Sequence, residues 1–455
     1  MKHYFIETFG CQMNKSDSEI MRFSLDKAGF ISSDTEEKAD ILIFNTCSVR
    51  QHAEERAIAR MNAMRKTVRR RGGSIICAGC MAQRIGTELL ANGIADLAIG
   101  PYQSPRIGDI LTKYIGGDEE NSVYLSQQRE DFEERIYHEL AFRSEEQPWH
   151  KWVTITHGCD NFCSYCIVPF VRGQLISFPS SRIIDYIKVL SKNNITEITL
   201  LGQNVNQYGT DSGDIPFYRL LEKVAQIDSL IRINFIASHP KDFIPEIVEV
   251  IRDHQNISRS IHLPLQSGSN RILSLMNRKY TLEQYLSIIN HIENLLSEYA
   301  LSTDIIVGFP GETEEEFQQT LKAVEQIRFD DAFMYAYSPR EGTAAYALEE
   351  FLTRDEKIDR LNRLIALQRR ISAEKLHSRK DHTEEIIIER LSKKSSHEVM
   401  GRTFLNHPVI TPGREDEIGE KIPVKIREVR GSTLIGTREY HHSPVPPVTP
   451  TPTAK

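Results

Sequence analysis

The run "THGCDNFCSYCIVP" (156–169) sets Cys159, Cys163 and Cys166 four and three positions apart, with no fourth cysteine nearby. A structural zinc takes four ligands, usually as two closely spaced pairs, and disulfides need an even number of cysteines. Three thiolates on one loop suit instead a four-iron cluster with three protein ligands and one open iron. An amino acid end can chelate that iron through its amine and carboxylate. S-adenosylmethionine has such an end, and one electron cleaves its S–C bond to a radical that abstracts unactivated hydrogens, chemistry that a protein orients and shields. Tyr165, beside Cys166, offers a ring on which adenine can pack. The context of the loop decides the fold. It follows "KWVTIT", the first of six strand-like runs, the others being "EITLLGQ", "RINFIAS", "SIHLPLQ", "STDIIVGFP" and "DAFMYAYS". Each precedes a helical stretch or its start, such as "SSRIIDYIKVLSKN" or "TLEQYLSIINHIENLLSEYA". Six βα repeats over roughly 200 residues predict a partial (β/α)6, TIM-like parallel barrel with its site at the C-terminal strand ends.

Residues 1–117 repeat the alternation. "HYFIETFG", "ADILIFNTC", "SIICAGC" and "IADLAIG" read as strands with amphipathic helices between them, which implies a parallel α/β domain. Cys11, Cys47 and Cys80 each come at the C-terminal end of one of these strands, where such sheets form a ligand crevice. They read either as buried small hydrophobes or as a second three-cysteine cluster. Cys77, inside its apolar strand, reads as structural.

The 455 residues suggest about three domains. After a polar, acidic connector from 118 to about 145, the barrel domain is expected over 145–377, closed by the helix "TRDEKIDRLNRLIALQRRISAEKLHSRK". Beyond it the period shortens. "TEEIIIERL", "VMGRTFLNHPVI", "KIPVKIREVRG" and "STLIGTREY" predict a small antiparallel β-barrel over 378–442. The Pro/Thr-rich end, 443–455, reads as a disordered tail. The fold class is therefore α/β with an appended β-barrel.

No signal-peptide core and no run of about 18 apolar residues occurs, so a cytoplasmic location without membrane contact is expected. There thiols stay reduced and clustered cysteines read as metal ligands. A net charge of −7 argues against a general polycation and leaves local basic surfaces. One is Arg65, Lys66, Arg69, Arg70 and Arg71, which reads equally as a solvated helix end. Another is Lys421, Lys425, Arg427, Arg430 and Arg438 on the last barrel, which reads as a face that tracks phosphates without reading sequence or as a solvated face balanced by the many nearby Glu.

Taken together, "ETFGCQMNKSDSE", "NTCSVR", "GCMAQR", "GCDNFCSYCIVPFVRG", "HLPLQSGSNRILSLMNRKYT", "STDIIVGFPGETEEEF" and the terminal "GRT…IPVKIREVRGSTLIG" resemble the radical S-adenosylmethionine methylthiotransferases along nearly the whole chain. "GCQMNKSDSE" is similar to the branch that acts on tRNA, and the C-terminal region looks like a TRAM RNA-binding barrel. The resemblance implies an enzyme that adds sulfur and methyl at C2 of N6-isopentenyladenosine, position 37 of tRNA. The alternatives are N6-threonylcarbamoyladenosine tRNA or a ribosomal protein as substrate, and, outside the family, a zinc-holding RNA-binding protein. It implies two 4Fe-4S clusters: Cys159, Cys163 and Cys166 hold the radical-generating one, and Cys11, Cys47 and Cys80 an auxiliary, sulfur-carrying one. Partners would be the tRNA anticodon stem-loop and an electron donor such as flavodoxin or ferredoxin, with the protein a monomer. Gly202 and Gln203 fall where related enzymes contact the methionine amine. Ser238, Gln266, Ser267, Asp304 and Arg340, polar groups ending barrel strands, are further cofactor-binding candidates and read equally as turn or cap residues. His239 and His262 invite a general-base role, but each reads better as a hydrogen-bonded structural histidine. One run departs from the family's "RGxExSRP": here it is "RGQLISFP", with Gln174 and Phe178 replacing an acid and a base.

Overall fold

Strand β3 (Ile41–Thr46) is buried along its whole length, as a parallel strand covered on both faces must be. It pairs with β1 (His3–Thr8) on one side and β4 (Ser74–Gly79) on the other. With β2 (Ile31–Ser32), β5 (Leu97–Ile99) and β6 (Val123–Tyr124) these form a parallel sheet of order β2-β1-β3-β4-β5-β6. Helices α1 (Gln12–Lys27), α2 (Gln51–Arg70), α3 (Cys80–Ala91) and α4 (Ile107–Gly116) connect it. The two-residue edge strands carry too little apolar pattern to be read from sequence. β6 lies in the stretch expected as connector, and Gln83 Nε2 donates to the Leu125 carbonyl beside it (3.0 Å). The first sheet thus extends past residue 117.

The computed structural model describes residues 2–48, 51–117, 122–125, 127, 149–236 and 238–438. Most of the expected connector and the Pro/Thr-rich tail lie outside the described residues. The chain divides into two compact units, 1–371 and 372–455.

All six expected strands of the barrel are present in the first unit. β7 (His150–Thr154) leads to a short antiparallel pair, β8 (Thr156–His157) and β9 (Ile176–Ser177), that brackets the cysteine loop and helix α5 (Val168–Arg172). β10 (Glu197–Leu201) pairs in parallel with both β7 and β11 (Arg232–Phe235). β12 (Ser260–His262), β13 (Ala300–Val307) and β14 (Asp331–Ala336) form a second parallel set. A parallel bridge from Ile233 to Ile257 joins the two sets. Among the described residues no ladder joins β14 to β7, which leaves the barrel partial. Capping boxes at Thr281 and Thr313 start two of its outer helices, each side chain accepting from a backbone N–H that the helix leaves orphaned. One apolar core fills this region and includes Ile20 of α1 and Tyr102, so the N-terminal sheet and the barrel share packing.

In the second unit β15 (Thr383–Ser392), β16 (Ser395–Thr403), β17 (Pro408–Pro412), β19 (Thr433–Arg438) and β18 (Lys421–Arg430) follow one another, and β18 pairs back to β15. The run "VMGRTFLNHPVI" belongs to two strands rather than one, because Asn406 (φ +66°) turns the chain between β16 and β17.

Candidate active site

Sheet order builds the N-terminal site. β1, β3 and β4 are neighbours, so Cys11, Cys47 and Cys80, which follow them, lie along one carboxyl edge. Gly10 has φ +116°, and a Cβ there would stand 2.3 Å from Cys47 Cβ; only glycine lets the two turns approach this closely. Cys11 Sγ donates to Asn14 Oδ1 (3.2 Å), while Asn14 Nδ2 donates to the Thr46 carbonyl (2.9 Å). The hydrogen bond with Cys47 and the charge of Arg172 hold the Cys11 thiol down at about 6. Burial pushes the Cys80 thiol up, against the pull of Arg172. Cys77 faces the other way, into the core with Phe44 and Met81, and burial pushes its thiol to about 12.

Arg172 is the member that sequence reasoning missed. It ends α5, just after the other cysteine loop, yet its Nε donates to Cys80 Sγ (3.2 Å) and its Nη2 to Asp17 Oδ2 (2.5 Å). Both side chains are buried. Val171 of the same short helix and Ile167, its N-cap residue, pack on Cys80. Two further contacts tie α1 to β7: Lys151 Nζ to Glu19 Oε2 (2.5 Å) and Ser16 Oγ to Thr154 Oγ1 (3.0 Å). The polar run after Cys11 is thus divided between its own sheet, through Asn14, and the barrel, through Ser16, Asp17 and Glu19.

The barrel loop is closed by its own backbone. Gly158 has φ +77°, and a Cβ there would stand 1.9 Å from the Gln174 carbonyl oxygen. Its N–H donates to Gln203 Oε1 (2.6 Å), fastening the loop to the end of β10. Burial pushes Cys159 to about 11 and Cys166 to about 12, with Cys163 close enough to raise both. Arg278 Nη1 donates to Cys163 Sγ and to Tyr165 Oη, each at 3.4 Å. His239 Nε2 lies 3.9 Å from Cys163 Sγ, and its Nδ1 accepts from Lys241 N (3.2 Å). Burial, reinforced by Arg278, holds His239 at about 2, hence neutral. Gln174 is exposed, whereas Phe178 is buried in the barrel core.

The other candidates at strand ends separate by their partners. Ser238 Oγ and Gln266 Oε1 are buried with no hydrogen-bond partner, as are Asn204 Oδ1 and Asn206 Nδ2 on the loop after β10. Buried polar atoms are ordinarily satisfied, so these are open positions for a polar ligand. Gly202 packs on Thr156, leaving no room for a side chain. Ser267 Oγ accepts from Ser269 N (3.2 Å) as a turn residue. Asp304 faces His262 Nε2 at 3.2 Å. Tyr165 packs beside Ile272, Phe309 and Tyr337. Arg340 Nη1 stands 4.0 Å from Glu54 Oε2 of α2, whose other oxygen, Oε1, accepts from Arg84, and Arg340 feels Cys47; it lies toward the N-terminal cysteines.

These residues fit iron–sulfur clusters. Among the described residues no three Cys, His, Asp or Glu side chains form a group for a single metal ion. A cubane asks for a wider set, since each thiolate ligates its own iron. Each cysteine set also has an arginine donor on one sulfur, Arg172 or Arg278, which favours the thiolate that a metal needs.

Of the basic groups, the exposed Arg69 and Arg71 are engaged within the domain: Arg69 donates to Asp96 (2.6 Å) and Arg71 to the Glu36 and Glu37 carbonyls (2.7 and 2.6 Å). On the last barrel Arg438 is also engaged, with Glu417 (2.5 and 2.7 Å). Lys421, Lys425 and Arg427 alternate along β18 with the buried Val424 and Ile426, so they share its outer face.

A parallel βα barrel carrying CxxxCxxC after its first strand defines the radical S-adenosylmethionine class. The family models agree: residues 153–324 match the radical SAM superfamily, 3–100 the uncharacterized protein family UPF0004, and 380–437 the TRAM domain. The chain is 41% identical over 439 residues to the tRNA-2-methylthio-N(6)-dimethylallyladenosine synthase of Thermoanaerobacter pseudethanolicus, covering 95% of this chain and 92% of the relative. It is 38% identical over 445 residues to the enzyme of that name from Methylacidiphilum infernorum, covering 96% and 95%. Among solved structures, the radical S-adenosylmethionine methyltransferase TsrM from Kitasatospora setae, with cobalamin and a [4Fe-4S] cluster bound, superposes with a TM-score of 0.59 at 11% identity, covering 76% and 74%. That likeness is one of fold. The chain belongs to the tRNA-2-methylthio-N(6)-dimethylallyladenosine synthase family of radical S-adenosylmethionine enzymes.

Proposed function

We propose that this enzyme methylthiolates C2 of N6-isopentenyladenosine at position 37 of tRNA, using one 4Fe-4S cluster on Cys159, Cys163 and Cys166 and another on Cys11, Cys47 and Cys80. The observation that carries the reading is the joining of the two cysteine sets: α5, which leaves the barrel loop, packs on Cys80 and hydrogen-bonds its sulfur. When bound, the clusters and S-adenosylmethionine supply the electron, the radical, the sulfur and the methyl group. The protein's share is placement. Gln203 fixes the barrel loop, Arg278 and Arg172 offset thiolate charge, and Ser238, Gln266, Asn204 and Asn206 offer polar atoms to the nucleoside cofactor. An adenine inside a stack cannot expose C2, so the target base is flipped out toward the strand ends.

The division of labour is a three-domain one: 1–117 with its short edge strand carries the auxiliary set, 145–377 the radical chemistry, and 378–442 binds the tRNA backbone through Lys421, Lys425, Arg427 and Arg430. A flavodoxin or ferredoxin delivers the electron to a monomer in the cytoplasm. No helix among the described residues is long and apolar enough to cross a membrane. Relatives spanning nearly the whole chain carry the dimethylallyladenosine name, so the threonylcarbamoyladenosine and ribosomal-protein alternatives are not favoured. The test is mass spectrometry of tRNA nucleosides from cells with and without the gene. The 2-methylthio nucleoside should vanish in its absence and return with the wild-type copy; persistence of the nucleoside would refute the proposal.

A further inference from the structure

Arg172 has a part that the reaction as proposed leaves unassigned. It lies six positions after Cys166 in sequence, but its guanidinium is buried in the N-terminal site. A guanidinium presents five N–H groups in a rigid fork. Here Nε is aimed at Cys80 Sγ (3.2 Å) and Nη2 at Asp17 (2.5 Å), whereas Nη1 is buried without a partner. Asp17 fixes one edge of the fork, and Tyr102 Oη anchors the residue's backbone by donating to the Arg172 carbonyl (3.2 Å). A buried donor left unmade is costly, so an unpartnered Nη1 on a guanidinium that touches Cys80 and feels Cys11 marks a place for an acceptor.

Resting on the reading of Cys11, Cys47 and Cys80 as cluster ligands, we propose that Arg172 is a positioning residue that sets the reduction potential of the auxiliary cluster. It donates through Nε to the Cys80 ligand sulfur and through Nη1 to the sulfur of the bound group, and Asp17 offsets part of its charge. Hydrogen bonds to cluster sulfurs and nearby positive charge stabilise the more negative, reduced cluster and so raise its potential. A buried carboxylate acts in the opposite direction. The barrel thereby completes the auxiliary site with a residue from the helix that leaves its own cysteine loop.

The experiment uses the full chain carrying Cys159→Ala, Cys163→Ala and Cys166→Ala, so that only the auxiliary cluster is reconstituted. Its potential is measured by redox titration followed by electron paramagnetic resonance. Arg172→Gln, which removes the charge, should move the potential downward. Asp17→Asn, which removes the opposing charge, should move it upward. Opposite signs are what a charge effect requires, and simple loosening of the site would not produce them. No shift in either variant, or shifts of the same sign, overturns the proposal. If Arg172→Gln holds no iron, Asp17→Asn decides alone: a rise supports the proposal, and a fall or no change defeats it. A parental triple variant that binds no cluster at all refutes the two-cluster reading itself, a result separable from an auxiliary cluster that is present and insensitive to Arg172.

Discussion

The cysteines divide by what surrounds each sulfur. Cys77 sits three residues before Cys80, but strand alternation and the helix start send the two to different surroundings: Cys77 into the apolar core, Cys80 against Arg172. Cys77→Ala should therefore cost about 1 kcal/mol of stability, in the ordinary range for a point substitution. Iron content and product formation should stay at wild-type levels, as measured by iron assay and nucleoside analysis; loss of a cluster would move the ligand assignment from Cys80 to Cys77. Gly158 gives the complementary case. Because a Cβ would collide with the Gln174 carbonyl at 1.9 Å, Gly158→Ala should open the barrel loop. Reconstituted protein should then hold about four irons in place of about eight, keeping the N-terminal cluster. An unchanged iron count would show that the loop tolerates another path.

At the scale of elements, β18 is the strand whose outer face is expected to meet RNA. Lys421, Lys425 and Arg427 project from one side of it, Lys421 pairing with Glu385 (3.1 Å), while Arg438 on β19 is occupied by Glu417. Each phosphate contact releases counterions, so affinity carries a salt slope proportional to the number of contacts. Lys425→Ala with Arg427→Ala should weaken tRNA binding and reduce that slope by about two, read from binding at several salt concentrations. Arg438→Ala should leave the slope alone and lower the stability of the barrel. Unaltered affinity in the double variant would shift attention to Arg65, Lys66 and Arg70 on α2.

At the scale of the molecule, the proposed reaction needs two clusters in one compact unit. Replacing Cys11, Cys47 and Cys80 together by Ala should leave the barrel cluster and uncoupled S-adenosylmethionine cleavage, with no methylthiolated adenosine formed. Anaerobic product analysis with isopentenylated tRNA is the measurement, and product near the wild-type level would end the two-cluster mechanism. The same unit also has a built-in acid sensitivity. His150 on β7 is buried against Thr199 (2.9 Å), and burial holds it at about 3. The unfolded chain takes up a proton near the ordinary value of about 6.5, whereas the folded chain does not. Stability should therefore fall as the pH drops from about 6.5 toward 3, by up to about 1.4 kcal/mol per pH unit from this residue. His150→Gln should flatten that slope in urea unfolding of the cluster-free protein.

The alternation of apolar runs was enough to place all six barrel strands and four of the N-terminal ones, because a buried strand must be apolar wherever its partners lie. It was also enough to put Cys11, Cys47 and Cys80 at strand ends. The short edge strands β2 and β6 were illegible, since two residues carry no period. So was the split of β16 from β17, which hangs on one left-handed turn at Asn406. What only the tertiary structure decided is which side chains meet. Arg172 reaches Cys80 across 92 residues, Lys151 meets Glu19 from another sheet, and Arg340 turns toward Glu54. Periodicity records how deeply a residue is buried. Only the packing of α5 and α1 between the two sheets determines against what.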